Sequence, residues 1–245
     1  MERISAELYR QARDWLIAHD PDGRPMYNWA RSPARIPRTP EQLAAEIVWI
    51  ILCAGRSAQA ARTIEHKVWA AIRSGTPVVG AFGYRAKAAA IERAWRERER
   101  DFQTWQALPA GEPEALLAWC HAIPFIGDDT QYQLAKNLGA DVAKPDIWLC
   151  RLSVIPDRPR RPVSERWRRC QALCEHLSAA TGDGVAVVDS MLWLACNKGV
   201  LRVGSDAGAV EFRVGSAGAA RPITPEALAA KSRSALSQLK LFDNS

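Results

Sequence analysis

No stretch of this 245-residue chain is apolar for long enough to span a bilayer; the best, Ile47 to Ala54, falls far short of the roughly 20 residues needed. The N-terminus, MERISAELYR, carries charges through its first ten residues and has no secretory apolar stretch. No membrane role is expected, and the cytoplasm is the expected compartment. Histidine is scarce, at four, and the six cysteines include no Cys-x-x-Cys pair and no cluster-type run. Neither metal nor cofactor is therefore expected. Cys170 and Cys174 stand at i,i+4, with His176 and His121 elsewhere in the chain, but buried packing of reduced thiols is the better reading. No internal repeat occurs. Strand-like alternation is confined to VLRVGSDAGAVEFRV, 200 to 214, a strand pair turning at Asp206-Ala207-Gly208.

What is present is ordinary globular material, 48% hydrophobic and 24% charged, with a net charge of +6. The charge leans weakly toward a polyanionic partner. Apolar residues recur at helical spacing nearly throughout, which predicts an all-α protein of about ten helices. Ser5 is placed to cap the first helix, and a Pro- and Arg-rich loop is expected from Asp20 to Arg38. Thr39-Pro40-Glu41-Gln42 has a cap, a first-turn proline and a capping-box Gln, and opens a buried helix on Leu43, Ile47, Ile50 and Ile51. Arg85 to Arg100 reads as one helix whose RERERD run is solvated. Another helix is expected from Thr224-Pro225-Glu226.

One passage carries chemistry. A helix through Leu116, Leu117 and Cys120 ends before Ile123-Pro124-Phe125-Ile126-Gly127, and a second helix starts near Asp128. Such a Pro-initiated, Gly-terminated turn aims backbone N–H groups and a helix start at one spot, which suits a phosphate oxygen. A plain αα-corner has the same outline. After Gly139 the chain reaches Lys144-Pro145-Asp146, a lone carboxylate at the start of another helix. An Asp there is also a common helix cap.

The ordered combination resembles the helix-hairpin-helix DNA glycosylase superfamily, and within it a bacterial branch without the lyase lysine or iron–sulfur cluster. Family members carry a Leu-Pro-Gly-Val-Gly hairpin, a Thr-Ala helix start and a downstream Asp, in this order and near this spacing. Here they read Ile123 to Gly127, Thr130-Gln131 and Asp146, with Arg151 at the position of a common family arginine. Leu43 to Ala54 and GRSAQAARTIEHKVWAAI look like the buried helix, wedging loop and next helix, and VVDSMLWLACNKG like the Asp-x-x-Leu-Trp helix of bacterial relatives. The likeness covers roughly residues 40 to 200. It departs at Phe125, where the hairpin has its first Gly, and at Trp148, where some members have His.

The resemblance implies a two-lobed single unit over 1–245 with Asp146 facing the cleft: a central lobe, 41–140, containing the hairpin 113–138, a second lobe from 1–40 and 146–200, and an extension, 201–245. It implies excision of a damaged or modified base from duplex DNA by a monomer. Asp146 would stabilise the oxocarbenium-like sugar and orient water. The lysine that attacks C1′ in bifunctional members is here Asp129, and a carboxylate forms no Schiff base. Lys136 lies about 10 Å further along its helix. A monofunctional hydrolase is thus expected, with no part implied for Lys144. DNA would be held by Pro124, Ile126, Gly127 and Thr130, by Arg56 as the gap-filling wedge, and by Arg151, Arg160 and Arg161, the last two in a basic patch with Arg158, Arg166, Arg168 and Arg169. Asp129, Trp148 and Trp49 are the base-pocket candidates. The alternative from another class is a catalytically silent helix-hairpin-helix DNA-binding protein; a nucleotide- or RNA-directed enzyme is a third and weaker reading.

Overall fold

A computed structural model describes residues 4–56, 58–109 and 112–213. Among them are twelve α-helices and one two-stranded sheet, so the protein is all-α as its periodicity predicts. In chain order the helices begin with α1 (Ala6–His19), α2 (Gly23–Arg31), α3 (Pro40–Cys53) and α4 (Ala58–Ser74). They continue with α5 (Val78–Phe82), α6 (Arg85–Arg96), α7 (Arg98–Gln106) and α8 (Pro113–Ala122). The last are α9 (Thr130–Asn137), α10 (Ile147–Leu152), α11 (Val163–Thr181) and α12 (Val185–Asn197). Strand β1 (Leu201–Arg202) pairs antiparallel with β2 (Glu211–Phe212). The helix expected from Thr224 lies outside the described residues. No single described helix is long and apolar enough to cross a membrane.

The chain divides into two compact units. The described residues of one lie up to Pro33 and from Ala140 onward; Ala34–Gly139 supply the other. In the first, α12 is the central helix, buried at nearly every position, with α1, α2, α10 and α11 packed on it. Both ends of α12 are pinned by charge. Asp183, just before it, accepts Tyr9 Oη (2.8 Å), Tyr27 Oη (3.0 Å) and Arg13 Nη1 (2.7 Å). Lys198, just after it, pairs with Asp22 (2.5 Å) and Asp20 (3.4 Å).

Part of the loop expected between Asp20 and Arg38 is instead α2. Pro25 sits in its first turn, where the missing N–H has no intrahelical partner to lose, and Met26 and Ala30 bury one face at i,i+4. Gly23 opens it where no larger residue fits: a Cβ there would lie 1.9 Å from the Leu16 carbonyl oxygen.

The second unit is built on α3, whose Leu43, Ile47 and Ile51 are fully buried and contribute about 1.5–3 kcal/mol each in burial. Thr39 caps it through the Gln42 amide (3.3 Å). Gln42 reaches back to the Arg38 amide (2.6 Å), one residue before the expected partner. The single helix expected from Arg85 to Arg100 is two, broken at Glu97 (φ −101°, ψ 14°). Nor is RERERD only a solvated face. Glu97 gathers Arg93, Arg96 and Arg100, Asp101 is buried beside Arg93, and Arg98 crosses to Glu41 on α3 (2.9 Å).

Candidate functional site

In the second unit, α8 and α9 pack against each other and are joined by the expected turn. Ile123 and Ile126 are buried and anchor it, while Pro124, Phe125 and Gly127 are exposed. The Ile126 amide donates to the Ile123 carbonyl (3.0 Å), closing a tight turn that forces Phe125 to φ +68°, the left-handed region. The position therefore suits glycine, and Phe occupies it at a cost of order 1–2 kcal/mol.

The turn's amides are less open than the sequence implies. Gly127 N–H donates to Thr130 Oγ1 (2.8 Å), so Thr130 locks the turn and occupies an amide expected to meet a phosphate. The Gly127 carbonyl accepts the amides of Thr130 and Gln131 (both 3.0 Å), starting α9. Asp128 is exposed and pairs with His121 Nε2 (3.0 Å). Asp129 precedes α9 in helical conformation and makes no side-chain cap, so its negative charge lies at the positive end of the helix dipole.

Upstream, the α3 C-terminus is held by Lys87, whose buried Nζ donates to the Ile51 (2.9 Å) and Ala54 (2.6 Å) carbonyls. Burial first, and the nearby Arg56 charge second, hold that amine below its ordinary pKa. Gly55 (φ +72°) then turns the chain, and Arg56 is exposed with its guanidinium 4.7 Å from the Phe82 ring centroid. Trp49, a base-pocket candidate, is 9% exposed, with the Arg62 guanidinium 4.7 Å from its ring centroid. It is a core tryptophan with one face covered, not an open stacking wall.

In the first unit, Asp146 caps α10: Oδ1 accepts the amides of Trp148 (2.9 Å) and Leu149 (3.0 Å). The side chain is half-buried, and exposed Ile147 follows it. The chain leading to Asp146 is fixed almost residue by residue. Asp141 accepts the amides of Val185 (3.0 Å) and Ala186 (2.7 Å) at the start of α12. The Ala143 amide donates to Gln171 Oε1 (2.8 Å), and the Lys144 amide to Oδ1 of buried Asp189 (2.8 Å). Buried Arg166 donates Nη1 to the Pro145 carbonyl (2.8 Å) and Nε to the Arg161 carbonyl (3.2 Å).

Beneath the loop the thiols of Cys150 and Cys170 interact. Cys170 and then Arg166 hold Cys150 below the ordinary thiol range, while Cys170 is pushed well above it by Cys150 and by burial. Cys196 is pushed up to about 12, first by burial and then by the Asp146 charge. Five cysteines are buried and Cys53 is half-buried. Among the described residues, no group of three His, Cys, Asp or Glu side chains is placed to hold a metal.

Arg151 makes a bidentate pair with Asp157 (Nε–Oδ1 2.9 Å, Nη2–Oδ2 2.6 Å) and lies over the Trp148 ring at 5.0 Å. Its fork is thus engaged within the protein. Arg158, Arg160, Arg161, Arg168 and Arg169 are exposed, Arg161 pairing with Glu165 (3.3 Å). Arg166 does not belong to this basic patch, because it is buried on the α11 stripe with Cys170, Leu173, Cys174 and Leu177.

The structure thus groups Asp146, Trp148 and Arg151 in one unit, and Arg56 with the hairpin in the other. Sequence reasoning missed Arg166, Gln171 and Asp189 as supports of the Asp146 loop. For Arg166 a signal was present in its i,i+4,i+7 spacing to Cys170 and Leu173. Comparison with family models, curated proteins and solved structures yields no match to this chain.

Proposed function

We propose that the protein is a monofunctional DNA glycosylase built on the two-lobed helix-hairpin-helix glycosylase fold. The observation that carries the reading is Asp146, a carboxylate at the start of a helix whose approach is held by Asp141, Gln171, Asp189 and Arg166. A loop braced at this many points suits a group that must keep a fixed place beside a reacting atom. As the C1′–N bond breaks, positive charge grows on the sugar and Asp146 stabilises it. Water then bonds to C1′, its proton passes to the carboxylate, and the base leaves with the bonding pair and takes up a proton. The α8–α9 turn and the exposed arginines of 158–169 would hold the DNA backbone. With Asp129 at the lyase position, the amine nucleophile of bifunctional members is missing there.

A second reading has an observation in its favour. Oδ1 of Asp146 is already occupied as a helix cap, a role that needs no catalysis and fits a silent DNA-binding protein. Incubation with oligonucleotides carrying different base lesions, followed by alkali, decides between the two. Strand cleavage only after alkali, with no adduct trapped by borohydride, is the expected result. A panel without base release favours the silent binder, and efficient trapping overturns the monofunctional assignment.

A further inference from the structure

Among the described residues only three large apolar side chains are exposed: Tyr84 (48%), Phe125 (37%) and Ile147 (50%). Two of them touch. The Tyr84 and Phe125 rings meet edge to face with centroids 6.0 Å apart, and Tyr84 also meets Phe82 at 6.5 Å. Phe82 in turn carries the Arg56 guanidinium at 4.7 Å. A guanidinium and three rings thus form a continuous row from the turn after α3 to the tip of the α8–α9 turn. Its members come from three separate parts of the sequence, so local chain geometry alone does not create it. Phe125 holds its place at a left-handed position where glycine costs less.

The charges around the row say what covers it. Arg56 stands at one end and exposed Arg85 directly follows Tyr84, while Asp128, the acid nearest Phe125 in sequence, is turned to His121 (3.0 Å). Exposed aromatic rings beside exposed cations match a ligand that alternates flat rings with negative charge, which is a nucleic-acid strand. In a duplex the bases show only their edges, so the rings require bases that are unpaired.

We propose that Tyr84 and Phe125 form a stacking platform for an unpaired stretch of DNA strand, with Arg56 and Arg85 on its phosphates. This deepens the glycosylase reading and rests on it for the choice of DNA. It makes the substrate a base in single-stranded, bulged or mismatched DNA.

Fluorescence anisotropy tests the proposal with a labelled oligo-dT of about 12 nucleotides, a length within the usual single-strand site range, and with the same strand paired to oligo-dA. Tyr84→Ala should weaken single-strand binding roughly 5- to 150-fold, the value of one stacked base, and leave the duplex within about twofold. Tyr84→Trp should restore it, and Phe125→Leu, which lies in the turn proposed to hold the backbone, should weaken single-strand binding more than duplex binding. Equal losses on both DNAs, or none, overturn the proposal. So does tighter binding of the matching oligo-rU, which assigns the surface to RNA, or a wild-type dimer in sedimentation that Tyr84→Ala dissociates, which makes the row a self-interface. Single-strand binding that needs Tyr84, with no base release in the lesion panel, would keep the platform and remove the glycosylase. Base release without a Tyr84 effect would do the reverse.

Discussion

Oδ1 of Asp146 accepts two amides and starts α10, so any substitution there tests a structural role together with a chemical one. Asparagine separates them. It keeps an acceptor oxygen and caps a helix about as well as aspartate, so Asp146→Asn should leave Tm nearly unchanged. On the proposed mechanism it deletes the charge that would face the sugar cation, so base release should fall by roughly two to three powers of ten. DNA binding should persist or tighten, since a negative charge near phosphates is lost. Asp146→Ala removes the cap as well and should cost about 1 kcal/mol, or roughly 2–4 °C in Tm for a chain of this size. Calorimetry on both variants beside single-turnover excision checks the pair. Full excision by Asp146→Asn would sink the catalytic role. A large Tm loss in that variant would show that the negative charge itself is needed for the cap.

Short elements show where sequence reasoning reaches and where it stops. The α8–turn–α9 passage, the Ser5 and Thr39 caps and the β1–β2 pair were legible because each is a pattern of neighbouring residues. Helix α2 was hidden behind Pro25 and Gly23, which read as loop composition; the Gly23 contact with Leu16 that makes sense of it is tertiary. Spacing hinted that Arg166 is buried, but which loop group each support of Asp146 contacts was out of reach for the same reason. Asp189 is 45 residues from the Lys144 amide it accepts, Gln171 is 28 from Ala143, and Arg166 is 21 from Pro145. A prediction belongs to this scale. Asp189→Asn and Arg166→Gln each weaken a buried, charge-assisted hydrogen bond to the loop and should cost about 1–3 kcal/mol. If these residues position Asp146, excision at saturating DNA should drop while the DNA concentration for half-saturation stays put. Merely structural residues would lower the active fraction and leave kcat per folded molecule intact. Urea titration gives that fraction and separates the two.

At the scale of the molecule, the placement of charge bears on stability and on the proposed DNA binding. The Asp183 cluster makes the first unit sensitive to alkali. Burial first, then the Asp183 charge and hydrogen bond, raise the Tyr9 phenol above its ordinary value of about 10, and burial followed by Asp183 raises Tyr27 as well. Above that pH the unfolded chain loses tyrosine protons that the folded chain keeps. The stabilisation is therefore complete below about pH 10 and is lost as pH rises beyond it. Urea midpoints should fall steeply there and less steeply for Tyr9→Phe; equal slopes would remove Tyr9 from the account. The proposed DNA binding draws on a different group of charges. The net +6 says little alone, but the structure separates buried Arg166 from exposed Arg160 and Arg161, which composition counted alike. Phosphate contacts release counterions, so log K for duplex DNA should fall linearly with log salt, by about 0.9 per contact. Reversing Arg160 and Arg161 to Glu should flatten that slope by about 2 and weaken unrelated sequences equally, because phosphates carry no sequence information. The same reversal at Arg166 should unfold the first unit instead, since it would place a carboxylate against the Pro145 and Arg161 carbonyls. An unchanged salt slope in the Arg160, Arg161 double variant would remove the patch from the DNA interface.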